Sequence, residues 1–283
     1  MARAFALLVL FACAGLAGAS AGVGPSSVDA GRLYEVNGVK LFAEINGTGP
    51  PILFLHGGLN FFDSAFASQK SYFSAFRTVI GVDQRGHGHS PDNDQPFSYR
   101  GMEEDTAEFL KKLALGPVDV VGHSDGGNVA LLLARYHPEL VRRLVISGAN
   151  ARGDYNGVLA YLRFGLMSDD KFAASLPSNV RERYAQVSPD GALHWPAVVA
   201  KTKNLWSTSV VLKPEELNAI QIPVLVMAGD HDVISLDETI EIYRSLPNGH
   251  LWIFPSTGHS TMEERPDDFN RLTRAFLEGT AAH

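Results

Sequence analysis

The chain of 283 residues contains a single cysteine, Cys13, and it stands inside the N-terminal leader. Removal of that leader leaves no disulfide, no thiol nucleophile and no thiolate metal site. Lys/Arg-rich runs are absent and the formal net charge is −7. That balance argues against nucleic acid as a main partner and mildly favours neutral or cationic ligands. No apolar stretch reaches the roughly 20 residues that a membrane-spanning helix needs. Internal repeats and low-complexity tracts are missing as well. What remains is an ordinary globular mixture, 45% hydrophobic and 19% charged, long enough for one large core or a core plus an insert.

The first residues read as a targeting segment. "MARAFALLVLFACAGLAGASAG" has one early arginine, Arg3, an apolar run from Ala4 to about Leu16, and small residues ending at Ala19 and again at Ala21. This is the pattern of a secretory signal peptide over 1–21, which predicts export to the periplasm or the medium of a bacterial-type cell, with no stable membrane span after cleavage. An uncleaved N-terminal anchor is the competing reading.

Downstream, short apolar runs alternate with amphipathic ones. "RLYEVNGVKLFAEING" carries Asn37-Gly38 as a hairpin turn signal. "PPILFLHGG", "TVIGVDQRGHGHS", "PVDVVGHS", "VRRLVISGAN", "IPVLVMAGDHD" and "HLWIFPSTGHS" each read as a strand running into a loop. "EEDTAEFLKKLAL", "GGNVALLLARYHP", "LDETIEIYRSLP" and "PDDFNRLTRAFLEG" read as helices. Alternation of this kind predicts an α/β fold, a mostly parallel sheet with helices on both faces. The rhythm fails between about 151 and 219, where aromatics (Tyr155, Tyr161, Phe164, Phe172, Tyr184, Trp195, Trp206) and scattered prolines accompany helix-like patches. That stretch is too long for a plain loop. It is expected to form a helical cap over the C-terminal edge of the sheet, on a core made of 32–150 and 220–280.

The chemistry concentrates at loop positions. "GHSDG" at 122–126 fits G-x-S-x-G between an apolar strand and a helix. Gly122 and Gly126 permit the tight turn that lifts the Ser124 hydroxyl above the sheet, so Ser124 is the candidate nucleophile. A serine hydroxyl needs a base and an acid that orients it. His259, after the last strand, is the candidate base. Of the two acids after the preceding strand, Asp232 is the choice for the triad, and Asp230 is the one expected to brace the turn. Two backbone amides must receive the oxyanion. One is that of Asp125; the other is that of Gly58, with Leu59 as second choice. Leu59, Trp206 and Asp125 are candidate substrate-binding residues in a mostly apolar pocket. His56 is expected to bond within its loop, His123 to pack inside the turn, His87 and His89 to serve turns rather than a metal, and His231 to be exposed. Neither a metal nor another cofactor is implied.

Taken together, "HGG" at 56–58, "DQRGHGHS" at 83–90, "GHSDGG" at 122–127, "GDHD" at 229–232 and "GH" at 258–259 resemble the α/β-hydrolase superfamily over about residues 32–280. The serine separates the chain from epoxide hydrolases and haloalkane dehalogenases, whose nucleophile is an aspartate. "SDGG" followed by "ISGAN" is similar to the valacyclovir-hydrolase (biphenyl-hydrolase-like) group, which cleaves amino-acid esters. In that group the acid after the nucleophile is associated with the substrate amino group, which on this chain is Asp125.

Asp125 poses a physical problem, because a carboxylate about 6 Å from a developing oxyanion would cost roughly 3 kcal/mol at an effective dielectric near 20. Three arrangements avoid that cost. The side chain caps the helix that starts there, pairs with a cation such as Arg85, or faces the pocket and receives a cationic substrate. The expected function is a serine hydrolase acting on a small carboxylic ester or lactone. An amino-acid ester hydrolase or aminopeptidase-like activity using Asp125 is the alternative. Perhydrolase and carbon–carbon bond hydrolase activities use the same triad and also stay open. A binding protein that keeps the fold without turnover is the reading from another class.

Overall fold

The computed structural model describes residues 30–150, 164–208 and 212–280. The N-terminal segment with Cys13, and Tyr155 and Tyr161 of the middle segment, lie outside the described residues. β1 (Arg32–Val36) and β2 (Val39–Asn46) form an antiparallel hairpin. Its two turn residues, Asn37 and Gly38, both have positive φ, 47° and 77°, the backbone that matches the twist of two-residue hairpins.

Six more strands complete one sheet: β3 (Pro51–Leu55), β4 (Thr78–Val82), β5 (Val118–His123), β6 (Val141–Ser147), β7 (Val224–Gly229) and β8 (Gly249–Phe254). Their order is β1-β2-β4-β3-β5-β6-β7-β8. β2 meets β4 antiparallel, and every pairing from β4 to β8 is parallel. The expected mostly parallel α/β sheet is therefore present.

Side chains alternate between the two faces along each strand. Leu53, Leu55, Val118, Val120, Val224 and Val226 enter one core cluster with Phe109, Val129 and Leu133. Those last three belong to the helices Tyr99–Leu113 and Asp125–Tyr136. Ile52, Phe54, Val121, Leu225 and Met227 enter the other cluster with Phe66, Phe73, Phe269 and Phe276, from the helices Ala67–Phe73 and Pro266–Glu278 and the turn before the first of them. The central strands are thus buried on both sides, which explains why they read as continuous apolar runs. Each fully buried large side chain contributes about 1.5–3 kcal/mol of transfer free energy.

The strand order sets the place of the site. β4 lies on one side of β3 and β5 on the other. The loops leaving the C-terminal ends of β3 and β5 therefore diverge and open a crevice, where ligands bind in sheets of this kind. Leu55 of β3 pairs with Gly122 of β5, so "HGG" and "GHSDG" begin side by side.

Between β6 and β7 the described residues form helices, mainly Asp169–Ser175, Ser178–Val187 and Trp195–Thr208. Two aromatic clusters hold them: Phe164, Phe172 and Trp206, with ring centroids 5.6–5.7 Å apart, and Tyr184 with Trp195 at 5.3 Å. Asp92, in the loop after β4, ties them to the sheet by accepting from His194 Nε2 and Lys201 Nζ at 2.8 Å each. No helix among the described residues is long and apolar enough to cross a membrane.

Candidate active site

Ser124 sits on the turn between β5 and the helix Asp125–Tyr136 with φ 52° and ψ −120°. A non-glycine residue with such backbone angles is strained by about 1–3 kcal/mol, and surrounding contacts must hold it. Here the Ser124 amide donates to Ser147 O at 2.8 Å, and its carbonyl accepts from Gly127 and Asn128 at 2.8 and 3.1 Å. The turn also depends on its glycines. A Cβ on Gly126 would stand 2.1 Å from Leu55 O, and one on Gly122 would stand 2.4 Å from Gly126 O. No side chain fits either place, because the obstacle is backbone.

His259 and Asp232 come together in the loops after β8 and β7. His259 Nδ1 lies 2.7 Å from Asp232 Oδ1. The Asp232 side chain is fully buried, and the same oxygen accepts from Ile234 N at 2.8 Å. Asp230 instead accepts from Thr257 N at 3.0 Å and braces the turn. Gly148, in "ISGAN", has φ 62°, and a Cβ there would stand 2.8 Å from His259 Cε1, so glycine leaves room for the imidazole. Ser124 Oγ makes no hydrogen bond among the described residues. In ligand-free enzymes such bonds are often long and tighten when substrate binds.

The loop after β3 supplies the opposite wall. His56 accepts the Gln84 amide at Nε2, 2.9 Å, which assigns the ring proton to Nδ1, and Nδ1 donates to Gly57 O at 2.7 Å. Gly57 O and the Gly58 N–H belong to one trans peptide, so the bond to the oxygen also sets the direction of that N–H. Neither the Gly58 nor the Asp125 amide has an acceptor among the described residues. Leu59 is left-handed at φ 55° and half-buried against the core.

Asp125 corrects two expectations. It does not cap its helix, and it does not pair with Arg85, whose Nε donates to Asp105 at 2.7 Å. The Asp125 carboxylate accepts instead from Tyr99 Oη at 2.7 Å and from Trp206 Nε1 at 2.8 Å. Burial raises its pKa, while the bonds from Trp206 and Tyr99 oppose the rise. A Cβ on Gly58 would stand 2.3 Å from Asp125 Oδ2 and 2.7 Å from Trp206 Cζ2. Asp125, Trp206 and Gly58 thus meet at one point. Tyr99 is the participant that sequence reasoning missed. It ends "FSY" and opens a helix, and no local signal marks a hydroxyl whose partner is 26 residues away.

Other histidines of the described residues bond within their own loops or face solvent. His87 Nδ1 bonds Arg85 O at 2.9 Å, His89 Nδ1 bonds Asp83 at 3.0 Å, and His231 is exposed. Burial pushes the pKa of His56 down to about 4 and that of His123 down to about 3. Both rings are therefore neutral in the native state at pH values where an unfolded histidine, near 6.5, is already charged. The unfolded chain then binds more protons, so this contribution to stability is complete above pH 6.5 and is lost as pH falls toward 3 to 4. Urea unfolding between pH 6 and 4.5 should show the wild-type stability falling with a proton linkage larger by about one than that of His123→Gln.

A family model described as the alpha/beta hydrolase family matches residues 52–272. The human serine hydrolase BPHL is 28% identical over 269 residues, covering 93% of this chain and 90% of the relative. The 2-hydroxymuconate semialdehyde hydrolase of Pseudomonas putida is 27% identical, covering 91% and 98%. Among solved structures, the enol-lactonase from Burkholderia xenovorans LB400 shares the fold with a TM-score of 0.70 at 21% identity, covering 87% of this chain and all of that one. The matched span runs from β3 into the last helix and takes in every loop of the crevice, and on that match the chain belongs to the α/β-hydrolase family and is a hydrolase.

Proposed function

We propose that the protein is a serine hydrolase that cleaves a small carboxylic ester through an acyl-enzyme. The observation that carries this reading is the strained turn at Ser124, whose preceding residue His123 touches His259, together with the His259 Nδ1 held at 2.7 Å by a buried carboxylate. With Nδ1–H committed to Asp232, His259 Nε2 is the bare nitrogen that takes the Ser124 proton as Oγ attacks the acyl carbon. The oxyanion accepts from the Gly58 and Asp125 amides, and each such donor contributes about 10²–10³ in rate. His259 returns the proton to the leaving alkoxide. Water, activated by the same imidazole, then releases the acid. The helices between β6 and β7 act as a cap whose aromatic residues, Trp206 among them, shape an apolar acyl pocket.

A second reading, an amino-acid ester hydrolase, has one observation in its favour. Asp125 is buried and bonded only to neutral donors, with no salt bridge to a cation among the described residues. A substrate α-ammonium would supply the counter-charge. Asp125→Asn separates the two readings, and kcat/KM is to be measured on p-nitrophenyl esters of several chain lengths beside amino-acid esters. Loss of one charge-assisted bond, about 1.5–3 kcal/mol, predicts a roughly 10–100-fold larger loss on the amino-acid esters if they are the substrates. Equal losses on both series leave the plain esterase reading and remove the ammonium role.

A further inference from the structure

We propose that His123 is a positioning residue for the reaction: its imidazole anchors the backbone of His259 and so fixes the base relative to Ser124. The inference rests on the Ser124–His259–Asp232 reading above. His123 is the last residue of β5, directly before the nucleophile, and its ring is buried. Its Nε2 lies 3.0 Å from the carbonyl oxygen of His259. A carbonyl can only accept, so Nε2 carries the proton and Nδ1 is bare. That Nδ1 is buried with no hydrogen-bond partner among the described residues.

A packing role alone does not account for this residue. A buried acceptor without a partner is unfavourable, and a phenyl ring would fill the same space without it. The imidazole contributes one thing that a phenyl ring cannot, the Nε2–H to His259.

The surroundings show what that bond controls. The His123 ring is wedged between the two loops of the site. Its Nδ1 stands 3.0 Å from where a Gly57 Cβ would be, so it fills the space beside the loop after β3. On the other side its centroid lies 4.8 Å from that of His259, at 52°. His259 is tethered at Nδ1 by Asp232, but a ring held at one atom still pivots about that bond. The His123 bond adds a second anchor on the residue's own backbone. Because Ser124 and His259 share no direct hydrogen bond here, the register between them passes through such bridges. Another among the described residues is Ser147 Oγ with Thr261 Oγ1 at 2.6 Å. His123 also stays neutral, since burial and the neighbouring His259 both hold its pKa down. It therefore adds no second positive charge when His259 becomes an imidazolium.

The experiment compares His123→Phe, which keeps a ring and loses the donor, with His123→Gln, which keeps an N–H at similar reach. Both are assayed on p-nitrophenyl butyrate, and folding is checked by thermal midpoint. His123→Phe should lower kcat by about 10–100-fold, with KM changed by less than about threefold, as expected for a misplaced base. His123→Gln should recover most of that loss. A folded Phe variant with wild-type kcat overturns the proposal, and so does a folded Gln variant as slow as Phe.

If the Phe variant does not fold, the wild-type protein still decides the matter. Nitrogen-15 NMR should find the His123 proton on Nε2 between pH 5 and 8, and a proton on Nδ1 overturns the assignment. Ser124→Ala and His259→Ala are run alongside. If either keeps wild-type activity, the triad reading itself fails. If both are inactive while His123→Phe is not impaired, only the positioning role fails.

Discussion

Ser124→Ala should lower kcat/KM on a p-nitrophenyl ester by roughly 10⁵–10⁶-fold, the loss expected when a serine nucleophile is removed from a triad that acts as a unit. At about 1.4 kcal/mol per factor of ten, that corresponds to roughly 7–8 kcal/mol of transition-state stabilisation. The fold should survive. Ser124 Oγ makes no hydrogen bond among the described residues, and the turn is held by its backbone bonds to Ser147, Gly127 and Asn128. Alanine at φ 52° is as strained as serine, so circular dichroism and the thermal midpoint should be close to wild type. The Gly58 and Asp125 amides remain in the variant, and a residual rate above that of water is expected from them. Steady-state assays on purified, folded variant are the check.

Asp232→Asn should cost about 10⁴-fold in kcat, through the charge and the tautomer of the base rather than through its position. Asp232 Oδ1 accepts from His259 Nδ1 and from Ile234 N. An asparagine whose carbonyl takes the Oδ1 place keeps both bonds but loses the charge that stabilises the imidazolium. If its amide group turns to His259 instead, the imidazole must accept at Nδ1 and carry its proton on Nε2. It can then no longer take the proton of Ser124. Asp230→Asn is the matched control. That carboxylate is partly exposed and bonded to the Thr257 amide, so kcat should change by less than about fivefold. A large loss at Asp230 and a small one at Asp232 would reverse the assignment of the acid.

Much of this arrangement is legible in the sequence because it is local. The apolar runs of β3, β5 and β7 are continuous because both faces of the sheet are covered. Asn37-Gly38 turns the hairpin because both residues adopt positive φ. Gly122 and Gly126 flank Ser124 because a Cβ on either meets backbone. The choice of Asp232 over Asp230 follows from which acid sits at the strand end and which one lies in the loop beyond it. What the sequence hides is pairing at long range. Arg85 is adjacent to the crevice in sequence terms, yet it is taken by Asp105. The partners of Asp125 are 26 and 81 residues away, and the contact of His123 with His259 spans 136 residues. Such contacts arise from strand order and from how the helices after β6 lie over the sheet. No periodicity within one element encodes them.

The Asp125 carboxylate illustrates the consequence. From sequence, a charge beside the oxyanion needs a cap, a cation or a substrate. In the fold, burial disfavours the charge while two neutral donors stabilise it, and the same contacts link the helix Trp195–Thr208 to the turn that carries Ser124.

The central claim is that Ser124 is a nucleophile activated by His259. Covalent trapping tests it most directly. The protein is incubated with a fluorophosphonate, digested, and the adduct located by peptide mass spectrometry. The account predicts one adduct per chain, on the peptide containing Ser124, absent from Ser124→Ala and formed at least about 10³-fold more slowly by His259→Ala. A folded protein that takes up no label, or one labelled elsewhere with the label persisting in Ser124→Ala, would contradict it and leave a pocket that binds without this chemistry.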